Sequence, residues 1–274
     1  MIISENFESI QTINTPIKQG DNLAAFAYTN SFLNLVSDLN QPILHFWTTH
    51  PCLILGLKDK RLPHLADGLA SVKQDGYDYF LRNSGGLAVV SDGGILNVSI
   101  FLPQASNRVS VDHAYQIMEE LISQTFPELK IDHYEIEHSY CPGDYDLSVN
   151  GQKIAGISQR RTPNALTIML YLSVTGNQGF RGEMVKRFYD KGLGGEPNDL
   201  DVPEVWPETM TTLEDLYRTP MTTADVRQKM TQTLQTAGMR ASSAKIETFM
   251  AEANYQAQFD KEYAKMQKRQ PTLN

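Results

Sequence analysis

The sequence predicts an α/β (α+β) protein in which a mostly antiparallel sheet packs against helices and is followed by a helical C-terminal extension. Three stretches carry that prediction. Asn150-Gly151 stands between two strand-like runs, Asp146 to Val149 and Lys153 to Ile157, and Asn-Gly is the residue pair that a tight hairpin turn favours. Ala165 to Val174 sets Leu166, Ile168, Leu170 and Leu172 against Thr167, Met169, Tyr171 and Ser173, the period-two alternation of a half-buried strand. Ser110 to Thr125 places Ala114, Ile117, Met118, Leu121 and Ile122 on one helical face, with Ser110 suited to cap it.

The remaining elements follow in chain order. Asp21 to Leu39 reads as a helix, because Leu23, Phe26, Ala27, Leu33 and Val36 recur near helical spacing. Strands are expected at Ile43 to Thr48 and Cys52 to Leu57, on either side of the turn-prone Thr49-His50-Pro51. Pro63 to Gln74 is expected to be helical, with Pro63 at its first position and Gly76 just past its end. Tyr79 to Arg82 and Ile95 to Leu102 read as strands flanking a glycine-bearing loop. Asn198 to Pro207, with its two prolines and three acids, reads as a connection. Thr223 to Ala237 and Ser243 to Lys268 read as two helices, the second richly charged. The division expected is a catalytic domain over 1–220 and a helical extension over 221–274.

Composition narrows the function classes. Hydrophobic residues at 41% and charged residues at 20% are ordinary for a globular chain. A net charge of −8 argues against general affinity for nucleic acid or anionic membrane. No run approaches the roughly 18 apolar residues that a spanning helix needs, and Met1 to Thr15 lacks the basic head and apolar run of a signal peptide. The two cysteines, Cys52 and Cys141, form no Cys-x-x-Cys pair, which speaks against zinc and a disulfide framework. A reduced, cytoplasmic protein is expected.

Three segments carry candidate chemistry. In Arg82-Asn83-Ser84-Gly85-Gly86-Leu87, glycine lets the backbone approach a ligand, although the same residues also make a simple bend. Cys141, in Cys141-Pro142-Gly143-Asp144-Tyr145-Asp146, stands in a polar, turn-forming setting; from the residues alone it is either a nucleophile or a bystander. Cys52, inside Cys-Leu-Ile-Leu, reads as core. Lys153 lies on a strand of apolar and small residues, where it either faces solvent or serves as a cation beside the thiol and a developing oxyanion. A tight Asn150-Gly151 turn pairs Lys153 with Ser148. A straight strand would then leave Cys141 about 23 Å from Ser148 at about 3.3 Å per residue. The chain must fold back at Pro142-Gly143 for Lys153 to reach Cys141.

Arg-Asn-Ser-Gly-Gly-Leu-Ala-Val-Val-Ser-Asp, from Arg82, resembles the Arg-Arg-x-Ser-Gly-Gly-Gly-Ala-Val-x-His-Asp signature of lipoate–protein ligases, and Lys153-Ile-Ala-Gly-Ile-Ser-Gln resembles the lysine strand of the lipoate/biotin–protein ligase superfamily. The resemblance covers roughly residues 30 to 220. The block from Ser139 to Arg161 is most similar to the lipoyl amidotransferase branch, which moves octanoyl groups from the glycine cleavage H protein. The resemblance implies the ligase-type catalytic fold and Cys141 as the acyl-thioester residue. Lys153 becomes the cation supporting the thiolate, and Arg82, Gly85, Gly86 and Gly156 line the acyl pocket. The implied donor is the octanoylated H protein and the implied acceptors are lipoyl domains of 2-oxoacid dehydrogenases, with no cofactor.

Departures from the ligase signature point the same way. Leu87 replaces its third glycine, Ser91-Asp92 replaces its His-Asp, and a cysteine precedes the lysine strand. The Gly-Gly-x-x-Thr-x-His motif of octanoyl-carrier transferases is missing. Three alternatives stay open at this stage: an octanoyl-acyl carrier protein donor, an ATP-dependent lipoate ligase, and a non-catalytic lipoyl-domain-binding protein. Arg160 and Arg161, with Arg108, are the candidate basic surface for docking an acidic carrier domain.

Overall fold

A computed structural model describes residues 2–104 and 108–270; the last four positions of the expected C-terminal extension lie outside the described residues. In chain order the elements are α1 (Ile2–Asn6), β1 (Ser9–Asn14), α2 (Ala24–Leu39), β2 (Ile43–Trp47), β3 (Cys52–Leu55), α3 (Leu65–Gln74) and β4 (Asp78–Leu81). Next come β5 (Val89–Ser91), β6 (Ile95–Pro103), α4 (Val111–Thr125), β7 (Asp132–His133), β8 (Leu147–Val149), β9 (Gln152–Arg161) and β10 (Ala165–Ser173). The chain closes with α5 (Gln178–Leu193), α6 (Leu213–Tyr217), α7 (Thr223–Thr236), β11 (Arg240–Ser242), α8 (Ala244–Ala251) and α9 (Ala253–Gln267).

Eight strands form one sheet in the order β11-β1-β2-β6-β10-β9-β8-β7, and three form a second in the order β4-β3-β5. In the large sheet β1 runs parallel to β11 and β2, and the other pairings are antiparallel. The mostly antiparallel sheet is therefore present. β1, β5, β7 and β11 were not foreseen; they are short and lack a clear alternation, so pairing partners distant in sequence create them.

One face of the large sheet is the main core. Leu44, Phe46, Val98, Ile100, Leu166, Ile168, Leu170 and Leu172 pack there under the apolar face of α4 and Val226, Met230 and Leu234 of α7. Ser110 caps α4 by accepting a hydrogen bond from the His113 N–H. The opposite face meets α2 and α9 around Phe32, Val36, Phe101 and Tyr255, and the small sheet with α5 around Leu53, Leu81, Tyr140 and Phe188. β10 is consequently covered on both sides: Thr167 and Ser173 are buried, and only Met169 and Tyr171 stay half-open. The single long helix expected over Ser243 to Lys268 is broken at Glu252, which is extended at ψ 142°. The Gln11 side chain accepts hydrogen bonds from the Lys245 and Ile246 N–H groups, and so ties the start of α8 to β1. The chain then turns to lay α9 on α2. Helix α3 begins at Leu65 rather than Pro63, while Gly76 adopts φ +81° just beyond it. Among the described residues no helix is long and apolar enough to cross a membrane.

Candidate active site

The segment carrying Cys141 is a loop held from inside. Tyr140 is buried, and its hydroxyl lies 2.5 Å from that of Tyr171 and accepts a hydrogen bond from the Gln178 amide at 2.8 Å. Cys141 itself has φ +49°, a left-handed conformation uncommon for a residue with a side chain. The chain then folds back as Pro142-Gly143 permits: the Asp146 N–H donates to the Gly143 carbonyl at 3.0 Å, and the Gly143 N–H donates to the Asp146 carboxylate at 3.2 Å.

Lys153 reaches this loop from the face of β9 opposite the core, and one extra residue follows it in the strand. Ser148 pairs with Lys153 as the Asn150-Gly151 turn requires, but Leu147 pairs with Ala155, so Ile154 has no partner. Such a bulge re-aims the side chains beside it. Ile154 and Ala155 both enter the main core, and Lys153 turns to the opposite face beside Gly156. There its ammonium is buried among four acceptors: Ser139 Oγ at 3.0 Å, Tyr140 O at 3.2 Å, Cys141 O at 2.9 Å and Asp146 Oδ2 at 2.9 Å. An ammonium has three N–H donors, so these partners saturate it. Lys153 thus meets Cys141 through the backbone oxygen. Asp146 is its counter-ion; burial raises this carboxyl above its ordinary range although the Lys153 ammonium and the Gly143 and Ile136 N–H groups favour the anion.

The thiol faces the glycine loop. Cys141 Sγ lies 3.4 Å from the Leu87 N–H and 3.9 Å from the Arg82 guanidinium. Arg82 is steered there by its own loop, donating to the Gly85 carbonyl at 2.8 and 3.1 Å and to the Leu87 carbonyl at 3.1 Å. Gly86 sits at φ +85°, and a Cβ on it would stand 2.4 Å from the guanidinium and 3.4 Å from Sγ. Gly85 contributes its carbonyl, and its own Cβ position is open space. At Gly156 a Cβ would make ordinary contact with Asp146 and Lys153, 3.5 Å from the nearer. The structure therefore brings Arg82, Gly85, Gly86, Cys141, Lys153 and Gly156 into one site.

Beneath the loop lies a network that the sequence did not announce. Gly56 packs so tightly on the Gly86 carbonyl that a Cβ would stand 1.9 Å from its oxygen. The Ala88 N–H donates to Tyr189 Oη at 2.9 Å, Tyr189 donates to Asp59 at 3.0 Å, and Asp59 also accepts from the Gly56 N–H at 2.7 Å. Burial pushes the Asp59 carboxyl up to about 6. Asp146 could have been sought from sequence, because a buried lysine demands an anion and Asp146 closes the Cys141 segment. Leu87 N–H, Gly56 and Asp59 had no such signal.

The other candidates lie outside this site. Cys52 is buried, and its thiol is pushed up to about 12 by burial. Asp92 pairs with the buried Arg181 at 2.6 Å. Arg160 is turned onto Asn30, which also accepts from Asn83, and Arg161 donates to the Val109 and Ser110 carbonyls. Both arginines are engaged within the fold, and Arg108 likewise reaches the Pro163 carbonyl. No group of three potential metal ligands occurs among the described residues.

Residues 21–235 match the model of the lipoyl protein ligase A/B catalytic domain family. The chain is 37% identical over 217 residues to the octanoyl-GcvH:protein N-octanoyltransferase of Anoxybacillus flavithermus, covering 79% of each protein. It is 39% identical over 208 residues to the protein of the same name from Staphylococcus aureus, covering 74% of each. Among solved structures it is similar to lipoate-protein ligase A bound with ATP, with a TM-score of 0.66 at 18% identity over 93% of this chain and 95% of that one. The bipartite lipoate protein ligase of Thermoplasma acidophilum, studied together with its E2 lipoyl domain, gives a TM-score of 0.62 at 18% identity over 93% of each chain. At such identities these two likenesses concern the fold alone.

Proposed function

The chain belongs to the lipoyl protein ligase A/B catalytic domain family, and on that premise we propose that it is an octanoyl (lipoyl) amidotransferase acting in protein lipoylation. Its relatives are named for octanoyl transfer from GcvH. The donor is accordingly the octanoyl-lysine of the glycine cleavage H protein. The acceptors are lysines of lipoyl domains in 2-oxoacid dehydrogenase acyltransferase subunits, and the reaction takes place in the cytoplasm.

The observation that carries the reading is the placement of Cys141 Sγ between the Leu87 N–H and the Arg82 guanidinium. A cation and a backbone donor there stand where they can stabilise negative charge that develops on the reacting atoms as the sulfur acts as nucleophile. The thiolate adds to the octanoyl amide carbonyl. The C–N bond then breaks, the donor lysine leaves as an amine carrying the proton that the Cys141 thiol gave up, and octanoyl remains as a thioester on Cys141. The acceptor lysine amine attacks that thioester, a new amide forms, the C–S bond breaks, and the proton released by the acceptor nitrogen restores the Cys141 thiol. One lysine amide replaces another, so the overall exchange is close to neutral in energy and its balance contains no ATP. Lys153 and Asp146 hold the Cys141 loop so that the sulfur keeps its place at the donors.

Incubation with octanoylated H protein should add one octanoyl mass to the intact protein, on Cys141 and labile to hydroxylamine. Cys141→Ser should abolish turnover, while Cys52→Ser keeps most of it. Full activity in Cys141→Ser would end the assignment. Separate incubations with octanoyl-acyl carrier protein and with octanoate plus ATP should give little product; faster turnover in either would reassign the donor.

A further inference from the structure

The C-terminal segment reaches the site. β4 is the edge strand of the small sheet, so the outer N–H and C=O groups at its end have no strand to pair with. Gln270, three residues beyond α9, supplies both missing partners. Its side-chain oxygen accepts from the Leu81 N–H at 2.8 Å, and its amide donates to the Leu81 carbonyl at 3.1 Å. The same amide donates to the Met266 carbonyl at 2.8 Å, which anchors it to the last turn of α9. α9 is in turn fastened to α2 and the segment just before it: Phe259 packs on Tyr28 with ring centroids 4.6 Å apart, and Tyr263 donates to Asp21 at 2.6 Å. The residue after Leu81 is Arg82, whose own N–H continues the pairing with Leu55 at 2.9 Å and whose guanidinium reaches Cys141 Sγ.

We propose that Gln270 is a positioning residue for the active site, and that the C-terminal helix acts as a strap fixing the edge of β4 so that Arg82 is presented to the Cys141 sulfur. The reasoning is geometric. A frayed strand end would let the Arg82 backbone move, and its guanidinium contact at 3.9 Å has little distance to lose. The two hydrogen bonds from one side chain to one peptide unit hold that unit in position and in orientation. This inference rests on Cys141 being the reactive thiol of the proposed function, but its test does not need acyl transfer.

In the full-length chain, Gln270→Ala should make the Leu81 amide exchange with deuterium faster. It should also slow Cys141 alkylation by iodoacetamide near neutrality about fivefold, the ratio that about 1 kcal/mol sets. Gln270→Glu accepts from the Leu81 N–H but cannot donate to its carbonyl when ionised, so it should fall between the two. Thr222→Ala uncaps α7, which packs in the main core and takes no part in the strap; it should lower thermal stability and leave the alkylation rate in place. A wild-type alkylation rate in Gln270→Ala, or an equal slowing in Thr222→Ala, would overturn the proposal. An octanoyl-transfer failure in the unaltered protein would instead remove the proposed function and leave these two readouts interpretable.

Discussion

Two neighbouring glycines in the loop facing Cys141 have different duties, and substitution separates them. At Gly86 a methyl group meets a left-handed φ and the Arg82 guanidinium together. The first should cost about 1–2 kcal/mol of stability. The second should push the guanidinium off the Gly85 and Leu87 carbonyls and away from the sulfur. Gly86→Ala should therefore fold but alkylate at Cys141 much more slowly, whereas Gly85→Ala, with open space at its Cβ, should stay near the wild-type rate. Equal behaviour of the two variants would show that the loop acts only as a bend. Lys153 follows another logic. Removing it in Lys153→Ala leaves Asp146 and two carbonyls buried without their donor, a loss that costs several kcal/mol for a buried pair. That variant is expected to loosen the whole Cys141 loop rather than only change the charge near the sulfur.

The β8–β9 hairpin shows how an element sets the aim of a side chain. Asn150 at φ +52° and Gly151 at φ +79° make the turn that fits the twist of antiparallel strands. The unpaired Ile154 then carries both itself and Ala155 into the core, so that Gly156 joins Lys153 on the opposite face. Gly151→Ala should cost about 1–2 kcal/mol through its left-handed φ, because its nearest neighbour across space, Tyr134 Oη at 3.8 Å, leaves room for a methyl group. Urea unfolding should show that loss, with activity per folded molecule retained, since the bulge lies beyond the turn. A loss of activity without a loss of stability would mean that the turn itself touches substrate. In the tail, Thr222 and Asp225 form a reciprocal capping box at the start of α7. Thr222→Ala should lower stability by about 1 kcal/mol.

For the molecule as a whole, Asp59 couples stability to pH. Its folded carboxyl titrates at about 6, above the 3.8 of an exposed aspartate, because burial outweighs the Gly56 N–H and Tyr189 hydroxyl that favour the anion. The folded state therefore binds more protons than the unfolded chain between these values. The contribution is fully present below the unfolded value and is lost as pH rises through about 6. Asn at this position cannot titrate. The stability of the wild type relative to Asp59→Asn should thus rise by about 1.4 kcal/mol on going from about pH 7.5 to about pH 5, roughly one pKa unit's worth. Urea unfolding at the two pH values measures it, and a difference that ignores pH would show that Asp59 titrates alike in both states.

What the chain encodes in adjacent residues was legible without coordinates. Asn150-Gly151 specified its hairpin and the Ser148–Lys153 pair, Ser110 and its apolar face specified α4, and the Leu/Thr alternation specified β10. The segment from Ser139 to Arg161 likewise marked Cys141 and Lys153 as the residues to watch, and the structure brings them together. Only the tertiary structure decided how they meet. Arg82, not Lys153, faces the sulfur; Ile154 bulges; α8 and α9 part at Glu252; and Gln270 closes an edge formed at Leu81. The physical reason is one of range. Turn, cap and face preferences act within a few residues, whereas the guanidinium at Arg82 and the thiol at Cys141 are joined by the packing of two sheets, which no local pattern records.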